Sequence, residues 1–111
     1  MIASFKIVIP QNPEVKEKLR KKLEEYTLRV QKMKNQCTHD NPELCYNTMP
    51  GYKALILTRL FSYGEVETKE IAFEIREEFG ELNPALFNSA ASVIKDYCLT
   101  GGKNVTKGSG F

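Results

Sequence analysis

The feature that most constrains this chain is a run of apolar residues at helical spacing. Val15, Leu19, Leu23, Tyr26, Val30 and Met33 recur at steps of 4, 4, 3, 4 and 3, which lays one unbroken apolar stripe along a helix. Asn12-Pro13-Glu14 supplies its start in the preferred order: a capping side chain, a proline at the first helical position and an acid in the first turn. A helix over residues 13–34 is therefore expected, and a stripe of that length must be covered by something.

The remainder of the chain offers the cover. Phe5-Lys6-Ile7-Val8-Ile9 reads as a short strand with Phe5, Ile7 and Ile9 on one face, ended by Pro10. Residues 35–51 read as a polar loop, with Asn41-Pro42 and Met49-Pro50-Gly51 as turn signals. A second helix is expected from Tyr52 to Tyr63, with Tyr52, Leu55, Ile56, Leu60 and Tyr63 inward and Gly64 as its C′ residue. Thr68 is a candidate N-cap for a third helix, with Ile71, Ala72, Ile75 and Phe79 inward and Gly80 at its end. Asn83-Pro84 opens a fourth that runs to about Leu99, with Phe87, Ala90, Ala91, Ile94 and Cys98 inward. Residues 101–111, with four of the chain's glycines, read as a flexible tail or an unfinished strand. The expected fold is mainly α, in one domain spanning 1–111. It has a short N-terminal strand, a long amphipathic helix and a tri-helical, helix-turn-helix-like unit over 52–100.

Charge is uneven along this fold. Residues 1–64 hold eleven Lys/Arg against six Asp/Glu, whereas residues 65–111 hold five against eight. The basic half is the more plausible surface for an anionic partner. On the long helix, Lys18, Lys21, Lys22, Arg29 and Lys32 lie away from the apolar stripe. Glu14 with Lys18, Glu17 with Lys21, and Glu25 with Arg29 are spaced i, i+4 and can partly neutralise them. The same charges also read as an ordinary solvated face.

No apolar run approaches a membrane span; the longest are Ile7-Val8-Ile9 and Ala54-Leu55-Ile56-Leu57. No signal-peptide pattern opens the chain, so a cytoplasmic setting with reduced thiols is expected. The single histidine, His39, has no triad partners at hand, and no GxGxxG, GxxxxGK[ST], HExxH or GxSxG motif occurs. No complete catalytic site is expected. Cys37, His39 and Cys45 bring two thiolates and an imidazole within nine residues, with Cys98 as a potential fourth ligand. Zinc suits such donors. The first pair is C-x-H instead of C-x₂-C, however, and ordinary loop thiols with Cys98 in the core are the favoured explanation of these residues. No other cofactor is implied.

Helices on either side of Gly80 have the outline of a helix-turn-helix. On the second of them Asn88, Ser89 and Lys95 are the candidate contacts to nucleic acid, beside Ser92 and Asp96. One cation is few for a reader that grips several phosphates, and three helices around a core account for the pattern too.

Ser4-Phe5-Lys6-Ile7-Val8-Ile9, a polar break and the long helix from Glu14 resemble the N-terminal start of TnpB-type insertion-sequence proteins, relatives of type V CRISPR effectors. Residues 64–76 (Gly64 to Arg76) are similar to a segment those proteins carry after their first long helix, and residues 83–97 (Asn83 to Tyr97) to the helix that follows. The resemblance covers most of the chain as pattern, without an invariant motif. It implies the front portion of an RNA-guided nuclease: a barrel strand, here without barrel partners, and helices that hold guide RNA and heteroduplex. The family's nuclease acids and zinc ribbon lie further C-terminal and match nothing here.

Three readings of function follow. The first is a non-catalytic module binding RNA or DNA. The second is a protein-interaction or self-assembly module using helix 13–34. The third is a small winged-helix-like transcriptional regulator.

Overall fold

The computed structural model describes residues 4–36 and 46–100. Over these the protein is mainly helical. A first strand, β1 (Lys6–Val8), leads to the long helix α1 (Pro13–Gln36). The Asn12 side-chain oxygen accepts the Glu14 N–H at 2.8 Å, the capping bond that the Asn-Pro-Glu order anticipates. Helix α2 (Met49–Tyr63), strand β2 (Glu65–Glu67), helix α3 (Thr68–Phe79) and helix α4 (Pro84–Thr100) follow.

Both glycine stops behave as the sequence requires. Gly64 and Gly80 take φ of 81° and 82°, the left-handed conformation that a Cβ penalises. Each returns its N–H to a carbonyl one turn back, Gly64 to Leu60 and Gly80 to Arg76. At the start of α4, Asn83 Oδ1 accepts from Leu86 N–H at 3.2 Å.

Three expectations need correction. Helix α2 starts at Met49 instead of Tyr52, so Met49-Pro50-Gly51 is its first turn and not part of a loop. Thr48 caps it by accepting the Gly51 N–H at 3.2 Å, and a proline so near the start gives up no intrahelical bond. Thr68 is the first residue of α3 and not its cap; Glu67 holds the cap position without a side-chain bond. Tyr63, expected inward, is 69% exposed.

Strand β2 was not anticipated from the sequence. It pairs antiparallel with β1 in the register Lys6↔Glu67, Ile7↔Val66 and Val8↔Glu65. The first strand therefore has a partner within this chain. Ile7 and Val66 turn inward from the ribbon and are buried, while Lys6, Val8 and Glu65 face water.

Helix α2 is the hub. It packs against α1 and against α4, and Tyr52, Ala54, Ile56, Leu57 and Leu60 are buried there. From α1 the stripe residues Val15, Leu19, Tyr26 and Val30 are buried, with Leu23 and Met33 half-buried. From α4 come Phe87, Ala90, Ala91 and Ile94, all fully buried. Phe87 meets Tyr52 edge-to-face at 5.6 Å, a favoured aromatic geometry. Helix α3 adds Ile71, Ala72 and Ile75. The core is thus not closed by the last three helices alone, because the α1 stripe completes it. Each large buried side chain contributes about 1.5–3 kcal/mol relative to exposure.

Candidate nucleic-acid interface

At about 100° per residue, Lys18, Lys21, Lys22, Arg29 and Lys32 fall within about 100° of arc on α1, along one border of its apolar stripe. Packing that stripe on α2 leaves this flank at the surface. Lys18, Lys21, Arg29 and Lys32 are exposed and Lys22 is half-buried. All five expected cations are therefore presented together.

Their neutralisation differs from the i, i+4 expectation. Glu25 does reach Arg29 at 3.3 Å, and it also reaches Lys22 at 3.6 Å. Glu17 turns instead to Arg20, at 2.6 Å, on the other side of the helix. That bond raises the Arg20 guanidinium further above its ordinary value and takes the neutralising acid away from Lys21. Lys18, Lys21 and Lys32 make no ion pair among the described residues. Three cations without a close ion pair, although Glu14 and Glu25 stand on the same flank, attract a phosphate chain more strongly than a self-paired face does.

One member of this region was not legible in the sequence. Lys53, on α2, is only 5% exposed, and its ammonium lies 5.1 Å from the centre of the Tyr26 ring. Burial pushes its pKa down from 10.5, Arg29 and Lys22 push it further, and Glu25 opposes. Lys53 therefore sits close beneath the Lys22–Glu25–Arg29 group and adds to its positive potential. Burial likewise raises the Tyr26 hydroxyl far above its usual value. The only clue in the sequence was the neighbourhood of Lys53, between Tyr52 and Ala54, because lysines default to the surface.

The candidate residues on α4 are differently placed. Ser89 is exposed and Asn88 half-buried. The Lys95 ammonium lies 4.7 Å from the centre of the Phe5 ring, a cation–π contact that ties α4 to the start of β1. The fold therefore gathers the α1 cations into one flank but sets Lys95 against the first strand.

Cys37, His39 and Cys45 lie outside the described residues. Cys98 is half-buried against the core, and burial pushes its thiol up to about 11. Among the described residues no three His, Cys, Asp or Glu side chains converge as metal ligands. No described helix is long and apolar enough to cross a membrane.

The acids collect elsewhere. A groove of about 610 Å³ runs along β2, walled by Glu65, Glu67, Glu70 and Glu74, with Lys6 and with Arg59 and Tyr63 from the end of α2. No α1 residue lines it. The uneven charge of the sequence thus becomes two separate surfaces, a cationic helix flank and an acidic groove. The chain matches no protein-family model, no curated protein and no solved structure.

Proposed function

We propose that this protein is a non-catalytic nucleic-acid-binding module that lays the cationic flank of α1 along a phosphate backbone. The observation that carries this reading is the set Lys18, Lys21 and Lys32, aligned on one exposed flank with no ion pair among the described residues. Lys22 and Arg29 extend the same flank, and Lys53 reinforces it from beneath. Lysine and arginine on a helix flank contact phosphates without reading bases, so binding to RNA or DNA of mixed sequence is expected. The resemblance to the front region of TnpB-type proteins agrees with this role, because that region holds guide RNA and heteroduplex.

The test is binding to a labelled 20-nucleotide RNA and to the matching DNA duplex across a salt series. With about five phosphates neutralised, the log–log slope should be roughly −3.5 for single strands and −4.5 for duplex. Lys18→Glu/Lys21→Glu/Lys32→Glu should weaken binding on the order of 100-fold at low salt without lowering the melting temperature. Affinity indifferent to both salt and charge reversal would falsify the proposal.

Assembly through the apolar stripe of α1 has less support, since α2 already covers Val15, Leu19, Tyr26 and Val30. A reader built on α4 is also less supported, because Lys95 is engaged with Phe5.

A further inference from the structure

The β1–β2 ribbon leaves backbone groups of β2 directed away from β1. Thr68 N–H donates to the Phe5 carbonyl at 3.0 Å, and Ile9 N–H donates to the Gly64 carbonyl at 2.9 Å. In an antiparallel ladder, mutually bonded pairs alternate with non-bonded ones. Given the register, Ile7 and Val66 form the next bonded pair. Glu65 and Glu67 lie between, so their backbone groups point away from β1. The Glu67 carbonyl opens α3, which leaves the Glu65 N–H and C=O and the Glu67 N–H along the outer edge of β2. Among the described residues the sheet has only these two strands.

That edge borders the acidic groove. Short length and charged side chains are the usual guards against strand addition, but this guard is one-sided. Glu65 is held by Lys6 at 3.4 Å and Glu74 by Arg59 at 3.1 Å. Glu67 and Glu70 make no ion pair among the described residues, so the groove keeps a surplus of negative charge. Such an edge repels an acidic strand and favours a basic one over a neutral one. Its volume of about 610 Å³ suits a few side chains, not a helix.

We propose that the groove along β2 binds an extended, Lys/Arg-rich peptide segment of a protein partner by strand addition, with backbone bonds to Glu65 and Glu67 and basic side chains against Glu67 and Glu70. The partner is a basic protein tail or linker, and the site is independent of the α1 flank. Tyr63, 69% exposed at the rim, offers a ring face for one of the partner's cations.

The test uses the full chain and a fluorescein-labelled Lys-Val-Lys-Val-Lys-Val peptide, followed by anisotropy at low ionic strength. Saturable binding is expected, weakened about tenfold by Glu67→Gln/Glu70→Gln. The same peptide with every backbone amide N-methylated keeps its charge but can donate no ladder hydrogen bond, and it should bind about tenfold or more weakly. Lys18→Glu/Lys21→Glu/Lys32→Glu should leave peptide affinity unchanged or slightly raised. Equal binding of the methylated peptide would reduce the groove to a diffuse charge effect and overturn strand addition. No saturable binding overturns the site altogether. Concentration-dependent dimerisation abolished by the Glu67/Glu70 substitutions would assign the groove to a second copy, and also overturn the proposal.

Discussion

Phe5 and Thr68, sixty-three positions apart, exchange a closed pair of hydrogen bonds: the Phe5 N–H donates to Thr68 Oγ1 at 3.0 Å, and the Thr68 N–H donates to the Phe5 carbonyl at 3.0 Å. Thr68 is fully buried. One side chain thus fastens the end of the ribbon and the first turn of α3 together. Thr68→Val keeps the shape but leaves the Phe5 N–H without its acceptor. A loss of about 1–2 kcal/mol is expected, read as a melting point lowered by about 4–8 °C for each kcal/mol. An unchanged melting point would show that the hydroxyl contributes nothing to this junction.

Lys53 sets a pH dependence. Its ammonium is held below the ordinary 10.5 by burial first, then by Arg29 and Lys22, with Glu25 opposing. Below both pKa values the lysine is charged in folded and unfolded chains alike, and the folded state carries the desolvation penalty. As pH climbs toward 10.5 the folded chain releases that proton first, so stability contributed by this group rises with pH. Tyr26, Tyr52 and Cys98 act in the opposite sense at alkaline pH, since burial raises each of them. Those groups are common to wild type and Lys53→Met, so their difference isolates the lysine. Urea titrations at pH 7 and pH 10 should show the wild type gaining on the variant. A constant gap would mean that Lys53 titrates normally.

Cys98 should be a slow thiol. In a Cys37→Ser/Cys45→Ser background, its rise from 9.0 to about 11 lowers the thiolate fraction at pH 8 roughly 100-fold relative to the unfolded chain, because only thiolate attacks a disulfide reagent. Labelling in buffer should therefore be far slower than in urea. Comparable rates would mean the thiol is open to solvent.

Gly51 and Gly64 should differ when changed to alanine, though both belong to α2 or its cap. At Gly64 an added Cβ meets open space, and the cost is the positive φ alone, about 1 kcal/mol. At Gly51 the added Cβ falls 2.6 Å from Tyr46 Cα and 2.7 Å from its carbonyl carbon. A backbone must move there, at a cost of about 1–3 kcal/mol, which exceeds alanine's ordinary helical advantage. Denaturant midpoints should rank wild type, then Gly64→Ala, then Gly51→Ala. The reverse order between the two variants would show that the Tyr46 segment yields easily.

The parts of this fold legible in the sequence are those specified locally. The α1 stripe, the Asn12 and Asn83 caps and the glycine stops at 64 and 80 each depend on residues within one or two turns of one another. Strand β2 depends on a partner nearly sixty residues away, and Glu65-Val66-Glu67 is too short for alternation to stand out. The start of α2 was hidden because Met49-Pro50-Gly51 serves equally well as a turn or as a proline-bearing first helical turn. The cationic flank was readable because helical periodicity places Lys18, Lys21, Lys22, Arg29 and Lys32 together. Lys53 and the acidic groove were not readable, since each forms only where separate elements meet.

The ribbon also divides the molecule into parts that can come apart separately. Helix α3 follows β2 without a break, and the Phe5–Thr68 bonds tie its first turn to the start of β1. Closing the chain between Phe5 and Thr68 spans two whole helices, so the ribbon gains most after α1 and α2 have docked and shortened the gap. If the ribbon opens, α3 loses the anchorage of its first turn but keeps the packing of Ile71, Ala72 and Ile75 in the core, while the packing of α1 and α4 on α2 is made without either strand. Residues 5–9 and 65–68 then behave as one subglobal unfolding unit. Their amides should exchange with solvent together, ahead of those of α2.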